Sequence, residues 1–117
     1  MTELAQLARR LVGGTAHWSP GAWAARITPT PDSTDEPGAA RHRADVLYDL
    51  VQQLADLGAE AESRPARPVP RLDNDLALPD QLWVVATDLA DAPRPVLTRA
   101  EAALRATHRT LFPEPHH

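Results

Sequence analysis

Residues 38–63 read GAARHRADVLYDLVQQLADLGAEAES, and this stretch decides the fold. Leu47, Leu50, Leu54, Leu57 and Ala61 follow one another at steps of three and four, and Val46 and Val51 widen the stripe. Such spacing returns to one side of a helix, so it predicts an amphipathic helix with one buried face. Arg41, Asp45, Asp49, Gln52, Gln53, Asp56 and Glu60 fall opposite and predict a solvated face. Gly58 lies on the apolar side, where it either admits a neighbouring helix closely or loosens the last two turns.

The prolines predict where the other helices end. They cluster at Pro20, at Pro29, Pro31 and Pro37, at Pro65, Pro68, Pro70 and Pro79, at Pro93 and Pro95, and at Pro113 and Pro115. Proline lacks an N–H and clashes with the preceding turn, so helix interiors exclude it. The proline-free stretches 1–19, 38–64, 80–92 and 96–112 all carry apolar residues at helical spacing, the first as far as Val12. A helix over about 3–12 follows, with Thr2 as cap, Leu4, Leu7, Ala8 and Leu11 inward, and Gly13-Gly14 as its stop. A short helix over 20–27 begins at Ser19-Pro20, with Trp23 and Ile27 four apart. A helix over 79–91 turns Leu82, Val85, Ala86 and Leu89 inward. Trp83 and Val84 lie off that stripe, so it is apolar almost all round and reads as the central helix. A last helix over 99–111 starts from a Thr98–Glu101 capping box and directs Ala100, Leu104, Thr107 or His108, and Leu111 inward.

Two connections separate these helices. Residues 28–37 are polar and proline-rich and predict a flexible loop. Residues 64–78 predict an extended, proline-rich segment that runs across the bundle end and packs against it through Val69, Leu72, Leu76 and Leu78. No period-2 alternation of useful length and no internal repeat is present. The predicted fold class is all-α: a single domain over 1–117, an up-and-down helical bundle of three main helices plus a short N-terminal helical pair.

Composition narrows the function. The chain has no cysteine, which excludes disulfides and zinc–thiolate sites and favours a cytoplasmic location. Its net charge is −4, and its basic residues, all arginine, are interleaved with acids. No nucleic-acid partner is expected, because such binding needs a clustered positive surface. The longest stretch free of charged side chains, 11–25, is broken by Gly13, Gly14, Pro20 and Gly21, so no membrane span is expected.

Few residues suggest chemistry. His42, Asp45 and Asp49 share a helical face, but nothing supplies the further ligands a metal needs, and a solvated face with ion pairs is the ordinary reading. Asp73-Asn74-Asp75 resembles the start of a calcium loop, yet Leu-Ala-Leu-Pro follows in place of a glycine turn and more oxygen ligands. These residue types are also default turn formers. No phosphate loop, dinucleotide fingerprint or nucleophile elbow occurs, and Ser19, Ser33 and Ser63 lack a catalytic context. No catalytic residue, metal or cofactor is therefore assigned.

The candidate binding residues are Trp18, Trp23 and Trp83. One reading has Trp18 and Trp23 plugging one end of the bundle and Trp83 filling its centre. The other places one or more at an interface, where tryptophan is enriched. The sequence thus points to a non-catalytic interaction or accessory protein acting through an apolar helical face, with a second copy or another protein as partner. A small enzyme or ligand-binding bundle with a polar inter-helix site near His108 and Tyr48 is the alternative. A DNA-binding regulator, from a loose helix-turn-helix reading of residues 4–27, ranks behind both.

Overall fold

The stripe Leu47, Leu50, Leu54 and Leu57 is buried on the inner face of a helix spanning Arg43–Ala61. The computed structural model describes residues 2–27 and 41–112. Its elements are α1 (Glu3–Thr15), α2 (Pro20–Trp23), β1 (Arg26–Ile27), β2 (Arg41–His42), α3 (Arg43–Ala61), a 3-10 turn at Asp75–Ala77, α4 (Leu78–Asp88) and α5 (Arg94–Leu111). Over the described residues the protein is an all-α helical bundle with almost no strand. The loop expected at 28–37 and the helical residues expected at 38–40 lie outside the described residues.

Among the described residues, four helices surround one core. α1 packs on α4 and α5, and α3 packs on the same two from the other side, so α1 and α3 lie across a diagonal. α1, with 13 residues, is thus a full wall of the bundle. Leu4, Leu7, Ala8 and Leu11 meet the α3 leucines together with Leu82, Ala86 and Leu89 of α4 and Ala100 and Leu104 of α5. Burying a leucine contributes about 1.5–3 kcal/mol, so this cluster supplies most of the driving force.

The connection after α3 sets the direction of α4. Residues from Arg64 onward run back along α3 rather than across the bundle end, and Leu72 and Leu76, which were expected to pack, are exposed. Gln52 accepts from Val69 N–H at 2.7 Å and donates to Arg67 O at 3.0 Å, and the Tyr48 hydroxyl donates to Val69 O. Arg71 then reaches Asp45 at 3.2 Å and Asp75 at 3.4 Å, near the start of α3. α4 therefore begins beside the start of α3 and runs in the same sense, with Leu89 against Gly58 near the far end. α5 returns antiparallel to α3, and Arg99 meets Glu60 at 2.6 Å. The alternation of direction is broken once, because an extended segment can recross the bundle where a tight turn cannot.

α3 spans Arg43–Ala61 where 38–63 was expected, with Arg41–His42 in a strand, and α4 spans Leu78–Asp88 where 79–91 was expected; three further boundaries differ. α1 does not stop at Gly13-Gly14 but continues to Thr15. Thr15 is buried, its hydroxyl donates to Leu11 O at 2.8 Å, and Phe112 sits against Gly14. Tertiary packing outweighs the helix-breaking tendency of two glycines. α2 ends at Trp23 rather than continuing to 27, and Arg26–Ile27 pairs antiparallel with Arg41–His42. The pair clasps α2 to the start of α3, with Arg43 N–H donating to Ala25 O at 3.0 Å. α5 begins at Arg94, not 99, so Thr98 and Glu101 form no capping box. Pro95 lies in the first turn, where its missing N–H costs nothing. Thr98 instead donates to Arg94 O at 3.0 Å, and the buried Glu101 accepts from Arg94 at 2.7 Å.

The glycine pair yields a test. A Cβ at Gly13 meets nothing within 4 Å, whereas one at Gly14 lies 3.0 Å from the Phe112 ring. Gly13→Ala is expected to stabilise the protein by about 0.5–1 kcal/mol, the usual gain for alanine in a helix interior. Gly14→Ala is expected to gain less or to lose stability, since Phe112 must shift. Thermal melts of the two variants check this; equal gains would contradict the contact.

Candidate functional site

The three tryptophans occupy two different places. Trp23 follows the Ser19–Pro20 helix start, where Ser19 Oγ accepts from Ala22 N–H at 3.2 Å. That short helix turns the indole inward, and it is fully buried. Trp18 lies over it edge-to-face at 4.7 Å between ring centroids, and Phe112 of the α5 end lies 5.5 Å from Trp18. Arg43 covers the Trp18 ring at 5.0 Å. Such pairs add about 0.5–1.5 kcal/mol beyond their buried area, and this cluster closes the end of the bundle where α1, α3 and α5 meet.

Trp83 stands apart from that cluster. It is half-buried on α4, facing the first half of α1 rather than the centre of the core. Arg9 of α1 lies over its ring at 5.9 Å. Trp83, Leu4, Ala5, Ala86 and Ala90 line a shallow, mainly apolar hollow of about 220 Å³. The next residue, Val84, is 57% exposed. The near-complete apolarity of α4 therefore does not mean complete burial: Leu82 and Ala86 face the core, and Val84 faces out.

The other sequence candidates resolve into local structure. Asp45 accepts from His42 N–H at 3.2 Å at the start of α3. Partial burial raises its pKa, but that hydrogen bond and Arg71 outweigh the burial and hold it below the usual aspartate value. Asn74 caps the 3-10 turn, accepting from Leu76 N–H at 3.0 Å. Among the described residues, no group of three or more His, Asp or Glu side chains is placed to hold a metal ion. Tyr48 bonds to Val69 O and stacks under Arg71, whereas His108 stacks on Phe112 at 5.0 Å, so these two do not form one polar site.

His108 belongs instead to a groove the sequence did not reveal. Glu3, Gln6 and Arg10 of α1 face Arg105, His108 and Arg109 of α5 across a cavity of about 300 Å³. Leu7 and Leu104 form its floor. Each trio follows helical spacing, yet about a hundred residues separate them, so neither signals the other. Only the packing of α1 on α5 joins them.

No family model, curated protein or solved structure matches the chain. Among the described residues, no helix is long and apolar enough to cross a membrane.

Proposed function

We propose that the protein is a non-catalytic accessory protein that binds through an apolar helical face, and that it does so as a homodimer. The observation that carries this reading is Val84, 57% exposed beside the half-buried Trp83 on the outer side of α4. An exposed valine next to a tryptophan gains about 1.5–3 kcal/mol when covered. Tryptophan is also the residue type most enriched at binding hot spots.

A second copy suits this face because it joins an apolar centre to charges of both signs. Asp80, Val84, Thr87 and Asp91 form one outward row along α4 and its end, and Arg9 lies across the Trp83 hollow on α1. A two-fold axis near Val84 would cover that side chain with the same surface of a second copy, as an isologous interface does. Light scattering is expected to give twice the chain mass of 12.7 kDa at near-millimolar concentration and to fall toward the single chain mass on dilution to low micromolar. Val84→Asp is expected to give the single mass at each of these concentrations and to melt no lower than the dissociated wild-type protein, because its side chain is not part of the core and only the stabilisation by the second copy is lost. A monomeric wild-type protein at every accessible concentration would overturn the proposal.

A further inference from the structure

We propose that the groove between α1 and α5 is a binding site for a dianionic phosphate group, carried by a small phosphomonoester or present as free phosphate. The chain as a whole carries a net charge of −4, yet here three guanidiniums face a single carboxylate. Arg10 extends from α1 and Arg109 from α5, both exposed, on opposite walls of a cavity of about 300 Å³. Among the described residues, neither forms an ion pair. Arg105 is already oriented, donating to Glu3 at 2.8 Å. Gln6 and His108 add further hydrogen-bonding groups to the lining.

The chemistry favours phosphate over carboxylate. A single guanidinium can satisfy a carboxylate through two parallel N–H···O bonds. A phosphate dianion has three terminal oxygens, which suit donors converging from two walls. The volume holds a phosphate and a few more heavy atoms, at the lower end of small-molecule sites. The floor of Leu7 and Leu104 leaves an apolar contact for a short organic group. Glu3 opposes the ligand's charge and competes for Arg105, so it limits affinity.

The test is a titration of the full chain, followed by amide and arginine side-chain NMR shifts at constant ionic strength. The probes are inorganic phosphate, glycerol 3-phosphate and acetate. Saturable shifts on Arg10, Arg105 and Arg109 are expected with both phosphates, and unsaturated ones with acetate. Tighter binding of glycerol 3-phosphate identifies a phosphomonoester site, and tighter binding of inorganic phosphate identifies a free-phosphate site. Arg10→Gln and Arg109→Gln are each expected to weaken binding about tenfold or more, the usual effect of losing a charge-assisted hydrogen bond. Glu3→Gln is expected to tighten it, and Arg94→Gln, at the other end of α5, to leave it unchanged. Shifts that do not saturate, equal affinity for acetate, or unchanged affinity in both groove-arginine variants would overturn the proposal.

Discussion

Replacing Trp23 with alanine is expected to lower the stability of the fold by about 3–5 kcal/mol, the range for removing a large buried aromatic. Trp23 is fully buried and lies under Trp18 at 4.7 Å, so its loss opens the end of the bundle where three helices meet. It also frees α2, which has only four residues and cannot hold its own shape. Trp23→Phe is expected to cost much less. The ring is kept, and the indole N–H that is lost has no hydrogen-bond partner among the described residues. Urea denaturation followed by circular dichroism compares the two. A loss below about 1 kcal/mol for the alanine variant would mean that the indole does not close the bundle.

Leu54→Ala is expected to cost about 2–5 kcal/mol, because the side chain is fully buried in the middle of α3 and leaves a cavity. Its neighbour in sequence, Gln53, is exposed, and Gln53→Ala is expected to stay within about 0.5 kcal/mol. The pair compares adjacent positions on opposite faces of one helix. Similar losses at both would show that the helical phase is wrong.

That phase was legible in the sequence because a buried stripe repeats over many turns. All four inward residues assigned to α1 are buried, as are Leu82, Ala86 and Leu89 on α4 and Ala100, Leu104 and Leu111 on α5. The boundaries were less legible, since each depends on a distant contact. Phe112, nearly a hundred residues away, packs against Gly14, the second of the two glycines that were expected to end α1. The β1–β2 pair has two residues per strand, too few to show a period, and its partner strand lies beyond a proline-rich stretch. The Thr98–Glu101 pattern has the right spacing for a capping box, but Pro93 and Pro95 place the helix start a turn earlier.

The candidate sites divide in the same way. Trp83 and Val84 could be singled out because they break the stripe of their own helix, a local signal. Which of the two faces outward depends on where α1 lies, and the sequence does not contain that. The α1–α5 groove left no trace at all. Arg10 and Arg109 each look like ordinary surface arginines until the two helices are laid side by side.

The proposed function rests on the outer face of α4, and NMR shift mapping over a dilution series tests it most directly. Between millimolar and low micromolar protein, shifts are expected to move at Trp83, Val84, Thr87 and Arg9, and to stay constant along the outer side of α3 around Gln53 and Asp56. An absence of concentration-dependent shifts, or shifts confined to another face, would contradict the account.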